Sequence, residues 1–288
     1  MQIHLMDGTY ELFRSYFGAP KRKAPNGTEI GAVAGLLAGT LNLLMNDGVT
    51  HLAGAFDTKI ESFRNDLFGG YKTGEGIDPE LLAQFPLAEQ AMKCLGVTVW
   101  SMLEYEADDA IATAAHRWRD EADRIVILSP DKDMAQCITG DLVVGYDRRR
   151  SAEINEAGVW DKFGVAPKSI PDYLALVGDS ADGLPGVAGW GAKSSGVVLA
   201  RYKHLEFIPL ETRLWDVDVR GADRLVENLR KQMAPALFYR FLATLRLDVP
   251  IEETVADIEW QGALREPWEM LCDTLGLDRL KTRPNRWQ

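Results

Sequence analysis

The stretch Arg124-Ile-Val-Ile-Leu-Ser-Pro-Asp-Lys-Asp133 decides the fold. Its aliphatic run, Ile125 to Leu128, breaks at Ser129-Pro130 and then delivers two aspartates, the signature of a buried strand with acids at its carboxyl end. The same arrangement recurs on either side. Ile3 to Met6 ends at Asp7, His51 to Phe56 ends at Asp57, and Val97 to Ser101 leads within a few residues to Glu106, Asp108 and Asp109. Leu142 to Tyr146 is a fifth candidate strand. Segments of helical apolar spacing, Gly31 to Met45, Pro79 to Leu95 and Ala107 to Trp118, lie between the strands. This alternation predicts an α/β fold, a twisted and mostly parallel sheet flanked by helices. Beyond about Arg150 the pattern turns helical, over Pro167 to Val177, Ala192 to Tyr202 and Ala222 to Leu245, so a smaller α-helical subdomain is expected. The expected organisation is a core over 1–150 with a glycine-rich insertion near 62–78, a helical subdomain over 151–250, and a tail over 251–288 with no assigned role.

In a parallel sheet every carboxyl end lies on one edge, where ligand sites form. Asp7, Asp57, Glu106, Asp108, Asp109, Asp131 and Asp133 are therefore expected along one crevice. Taken singly, each is more ordinary as a turn or helix-cap residue; their joint position on one edge is what points to a site. Like charges at short range raise one another's pKa, so cations must compensate. Oxygen donors without histidine or cysteine favour Mg²⁺ or Mn²⁺ over zinc, and two such ions roughly 4 Å apart stabilise the attacking and leaving oxygens of a displacement at phosphorus.

Composition sets the limits. The chain has 288 residues, of which 46% are hydrophobic, enough to bury a substantial core. It lacks any apolar run of the roughly 20 residues that spans a bilayer, and no secretory leader pattern opens it, so a cytoplasmic protein with no membrane association is expected. Cys94, Cys137 and Cys272 are widely spaced and form no zinc pattern. The formal net charge of −11 argues against a nucleic-acid binder unless bound cations neutralise clustered carboxylates.

Gly178 to Ser194 lies between two helical patterns and fits a helix-hairpin-helix over 170–203. Gly186, Gly189 and Gly191 would let backbone N–H groups approach a phosphate, and Lys193 stands at the start of the next helix. Tyr16, on the segment after Asp7, could stack on an exposed base; Tyr10, Phe13 and Phe17 could do so too, although core packing suits Phe13 and Phe17 at helical spacing.

With Met6-Asp-Gly8, Phe13-Arg14, Ala55-Phe-Asp57, Ser62-Phe-Arg64, Gly70-Tyr-Lys72, Glu106-Ala-Asp-Asp109, Asp131-Lys-Asp133 and the glycine hairpin in place, the chain resembles the 5′ nuclease (flap endonuclease) superfamily. The resemblance is greatest to the 5′ to 3′ exonuclease domain of bacterial DNA polymerase I, and a stand-alone member is expected. It implies a PIN-like 5′ nuclease core and a metal-dependent 5′ to 3′ exonuclease or flap endonuclease. Its partners would be DNA with flaps, nicks or 5′ ends, together with RNA primers, and the enzyme would act as a monomer. A catalytically weak DNA-structure-binding relative is the alternative. The resemblance further implies one metal site at Asp7, Asp57 and Asp108, with Glu106 acting through water. A second would use Asp108, Asp131, Asp133 and Asp182, with Asp109 and Asp179 close by. It implies Lys72 and Arg64 as basic arch residues that steer the scissile phosphate, Arg14 as a DNA contact, and a K⁺ ion held by backbone carbonyls of Leu176, Val177, Pro185, Val187 and Trp190. Three positions depart from the pattern: Glu75 where an arginine is usual, Gly183 where asparagine follows the aspartate, and Trp190 where an aliphatic residue is common.

Overall fold

The computed structural model describes all residues from Met1 to Gln288 and divides into two compact units. The first comprises 1–62, 74–129 and 247–288; the second comprises 63–73 and 130–246.

The first unit holds four strands, β1 (Gln2–Asp7), β2 (His51–Asp57), β3 (Thr98–Met102) and β4 (Arg124–Leu128), in the order β3-β2-β1-β4. All three pairings are parallel, with Asp7 opposite Ala55, Met6 opposite Leu128 and Asp57 opposite Met102. The carboxyl ends therefore share one edge, as the strand-to-acid pattern predicts. Ile3, Leu5 and Met6 on β1 and Ile125 and Ile127 on β4 are fully enclosed, which accounts for their near-continuous apolar runs. Helices α1 (Gly8–Gly18), α2 (Gly31–Met45), α3 (Phe85–Cys94) and α4 (Ala107–Trp118) supply the crossovers. Gly8 starts α1 directly against a ring: a Cβ there would lie 2.4 Å from the buried Phe56 side chain, so only glycine lets the chain turn from β1 into the helix.

Residues 247–288 complete this unit. Trp260 donates its indole N–H to the carbonyl of Leu95 (2.8 Å) and its backbone N–H to Thr50 (2.7 Å). Trp268, on the helix Arg265–Leu275, is wholly buried, and Arg265 sits over the Trp287 ring at 4.4 Å.

In the second unit β5 (Val143–Asp147) and β6 (Ala152–Ile154) form an antiparallel pair, followed by α5 (Glu156–Phe163), α6 (Ile170–Val177), α7 (Ala192–Tyr202) and α8 (Ala222–Ala243). Leu174, Leu176, Val198, Leu199 and Leu229 form the heart of its core. Proline at position 235 has no N–H to donate one turn back, and α8 breaks helical geometry at Gln232 (φ −115°, ψ 16°).

His4 on β1 gives the first unit a pH dependence. Burial lowers its pKa from 6.5 to about 4, only partly offset by its backbone hydrogen bond at His51 and by Asp47, while Arg124 and His51 lower it further. The unfolded chain therefore binds this proton more readily than the folded one, and stability falls as pH drops from 6.5 towards 4. The variant His4→Gln should show a shallower decline of Tm over that interval in thermal melts; an unchanged slope would show that other groups set the acid limb.

Candidate functional site

In the first unit Asp7, Asp57, Glu106 and Asp108 are each placed by a local constraint at the carboxyl edge. Asp7 ends β1 and caps α1, accepting the N–H of Tyr10 at Oδ1 (2.8 Å) and the hydroxyl of Ser129 at Oδ2 (3.0 Å). Asp57 ends β2; its Oδ1 accepts the N–H of Ala107 (2.8 Å), and its own N–H donates to the Thr9 hydroxyl (2.8 Å). Glu106 is the residue before α4 and accepts the Ser62 hydroxyl at Oε1 (2.7 Å). Asp109 returns a bond to the Glu106 N–H (3.1 Å), a helix-capping contact that fixes the turn carrying Asp108. Asp7, Glu106, Asp108 and Asp109 are all buried. The hydroxyls of Thr9, Ser62 and Ser129 were not legible as site residues. Their signal is adjacency to the acidic motifs, which singles out no serine or threonine by itself.

The second unit treats its acids differently. Asp179 is 4% exposed; its Oδ2 takes the Lys132 ammonium at 2.6 Å and its Oδ1 accepts the N–H of Ala181 (3.0 Å). Burial alone would lower the Lys132 pKa, yet Asp179, with Asp131 and Asp182 behind it, holds that pKa above the usual lysine value. Asp182 pairs with Lys72 at 3.0 Å. Asp131 is exposed and accepts its neighbour's N–H (Lys132, 2.6 Å), and Asp133 is buried at the start of a short 3-10 turn. No three His, Cys, Asp or Glu side chains gather into a ready metal cage. The donors in both units are nonetheless carboxylate oxygens only, the set that suits a hard divalent cation, so the residues fit the ions the acids imply.

Arg64 is 1% exposed. Its Nε donates to the carbonyl of Leu242 (2.8 Å) and its Nη2 to that of Thr244 (3.3 Å), so the guanidinium satisfies carbonyls at the end of α8. The structure thus gives Arg64 an architectural place, whereas the resemblance implies phosphate steering. Arg14 lies against the fully buried Glu11, with Nη2 to Oε2 at 2.5 Å and Nε to Oε1 at 3.2 Å. The Tyr16 hydroxyl donates to Asp78 (2.7 Å), which raises its pKa, and accepts from Lys21 (3.1 Å). Phe13 meets Phe85 edge to face at 5.9 Å, while Phe17 stands 77% exposed, contrary to the packing its spacing suggests.

The hairpin between α6 and α7 is built on backbone pairs. Asp179 and Leu184 exchange N–H bonds (2.9 and 2.7 Å), and the N–H of Val187 reaches the carbonyl of Leu176 (2.8 Å). Gly178, Gly183, Gly186 and Gly189 all have φ between 72° and 84°. A Cβ on Gly186 would fall 2.6 Å from the backbone nitrogen of Gly178, so the two limbs touch there. Trp190 is buried and donates its indole N–H to the carbonyl of Leu225 (3.0 Å), which makes it a packing residue. Gly189, Ala192 and Lys193 are exposed. Lys193 also borders a cleft of about 410 Å³ shared with Lys162, Gly164, Tyr173 and Val197.

These two units carry the fold of a 5′ nuclease. The bacteriophage T5 flap endonuclease, solved as a pseudo-enzyme-product complex with DNA and metal ions, superposes with a TM-score of 0.69 at 16% identity, over 84% of this chain and 89% of that one. Family comparison is more specific: the 5'-3' exonuclease N-terminal resolvase-like domain matches residues 2–164 and the 5'-3' exonuclease C-terminal SAM fold matches 165–266. The chain belongs to the 5'-3' exonuclease family. DNA polymerase I of Mycobacterium leprae is 32% identical over 98% of this chain, which spans 31% of that protein's length. The 5'-3' exonuclease of Buchnera aphidicola is 28% identical over 89% of this chain and 90% of its own.

The placement of Arg64 is testable. Arg64→Ala should lower unfolding stability by about 2–3 kcal/mol, because it strips a charged donor from buried carbonyls. A denaturant titration with an unchanged midpoint would refute the capping role.

Proposed function

We propose that the chain is a divalent-metal-dependent, structure-specific 5′ nuclease that hydrolyses phosphodiester bonds at flaps, nicks and 5′ ends of DNA during replication and repair. The observation that supports this reading is the row of acids at one sheet edge, of which Asp7, Asp57 and Glu106 are each held by an N–H or hydroxyl donor. Asp7, Asp57, Glu106 and Asp108 form one donor group. Asp131, Asp133 and Asp182 form another, with Asp179 in support, and Asp109 supports the first. Divalent cations, Mg²⁺ or Mn²⁺, would supply Lewis-acid charge that activates water and stabilises the developing phosphorane. The chain's own residues do the rest. Ser129, Ser62 and the N–H of Ala107 hold the carboxylates of Asp7, Glu106 and Asp57 in place, so little reorganisation is needed when charge develops.

Backbone N–H groups at Gly186, Gly189 and Gly191, with Lys193, hold duplex phosphates without reading bases. Tyr16 and Arg14 add contacts to the strand near its 5′ end. Carbonyls of Leu176, Val177, Pro185, Val187 and Trp190 are proposed to take a K⁺ ion. Those of Leu176 and Val187 already accept one N–H each, from Val187 and Trp190, and keep a second lone pair. RNA primers annealed to DNA would be substrates on the same footing. The enzyme would act as a cytoplasmic monomer; no helix is long and apolar enough to cross a membrane.

Cleavage of 5′-flap and nicked duplexes in Mg²⁺, abolished by a chelator and restored by Mn²⁺, is the expected result. Asp131→Asn should cut kcat by about 10²–10³ while DNA affinity holds, since it removes charge from the reaction and leaves the hairpin intact. Wild-type turnover from this variant would refute its role. Lys193→Ala should weaken binding and reduce the salt slope by about one, read by fluorescence anisotropy across salt concentrations. A change in turnover alone would remove it from the phosphate contacts.

A further inference from the structure

Lys72 and Asp182, to which the family resemblance gives separate roles in phosphate steering and metal ligation, are paired with each other. The ammonium lies 3.0 Å from Asp182 Oδ1, and the Lys72 N–H donates to the Asp182 carbonyl (3.1 Å). The backbones make this possible. Gly183 has φ 76°, and a Cβ there would stand 2.1 Å from the Gly70 carbonyl oxygen, so the 70–72 segment docks into the space a side chain would fill. Asn65 braces the other side by donating to the Lys72 carbonyl (2.8 Å). Glycine where the family pattern has asparagine is therefore tied to this clasp.

We propose that Lys72 is a resident counter-ion of Asp182 which a divalent cation displaces, so that metal loading hands the ammonium over to the substrate phosphate. This rests on the reading of Asp182 as a metal ligand. A divalent ion on the same carboxylate stands a few ångströms from the ammonium, and the repulsion between the two cations offsets what the partly exposed pair gains. Binding is thus competitive, and linkage requires that removing the lysine tighten the metal. The phosphate-binding lysine stays sequestered until the reaction centre is charged, which ties phosphate engagement to metal occupancy.

Mn²⁺ binding to the DNA-free protein, followed by electron paramagnetic resonance, tests this. Lys72→Met should bind Mn²⁺ about three- to fivefold more tightly. Lys168→Met, an exposed lysine of the same unit, should not change, and Asp182→Asn should bind more weakly. If Asp182→Asn binds Mn²⁺ as well as wild type, the ligand reading fails. If it binds weakly but Lys72→Met is no tighter than the Lys168→Met control, the displacement fails. Acylation of the Lys72 amine, quantified by mass spectrometry, gives an independent readout. Saturating Mn²⁺ should increase it, and Gly183→Ala, which pushes the segments apart, should increase it without metal. A Lys72 amine whose reactivity ignores Mn²⁺ overturns the proposal.

Discussion

Keeping buried carboxylates charged within each unit is the constraint on which the rest of this molecule depends. Burial and mutual repulsion both push an acid towards its protonated form. Each unit answers with a different class of donor. In the first, neutral donors do the work: the N–H groups of Tyr10 and Ala107 and the hydroxyls of Ser129 and Ser62. They orient charge but do not cancel it, so the demand for a cation survives. In the second, lysine ammoniums on Asp179 and Asp182 cancel part of the charge outright.

The two answers have different consequences. The donors Tyr10, Ala107 and Ser129 are fixed by the first turns of α1 and α4 and by the end of β4, and cannot be withdrawn without unfolding those segments. The lysines are held by rotatable stems, and the proposed displacement of Lys72 uses that freedom. Rigid positioning therefore belongs to the sheet edge, and exchangeable neutralisation to the hairpin side. The same logic disposes of the objection raised by a net charge of −11. The formal count includes acids whose charge a bound cation would offset, while exposed Lys193 and the Lys162 cleft supply a local positive surface on α5 and α7.

Strands that carry acids were legible because apolar runs and terminal carboxylates reinforce each other. β1, β2 and β3 begin and end within a residue or so of their expected spans. β6 was not legible: with three residues, two of them exposed, it offers no periodicity to detect. The expected single helix Pro79 to Leu95 is two, Pro79–Leu82 and Phe85–Cys94, since Pro86 cannot donate back across the junction. Long-range partnerships were the least visible. Nothing near Arg64 in sequence announces carbonyls 178 and 180 residues away, so a buried structural arginine reads like a surface basic residue. Phe17 fails in the opposite sense, because helical spacing fixes a face of α1 but not whether anything covers its final turn.

The departures from the family pattern in the hairpin are each accommodated by long-range partners. Trp190 is larger than the usual aliphatic residue, yet it stays buried, spends its N–H on α8 at Leu225, and meets Trp215 with ring centroids 6.2 Å apart. Ala188 beside it is gripped by Gln232 and Asn228 of the same helix. The extra volume is thus absorbed by α8, whose kink at Gln232 places that side chain against the hairpin tip. Gly183 removes a side chain and fills the gap with the backbone of Gly70. One change adds bulk on the side of the hairpin that faces α8 and the other removes it on the side that faces Lys72. Because each is compensated by its own neighbour, the loop between them keeps the backbone pairing that presents Asp179 and Asp182.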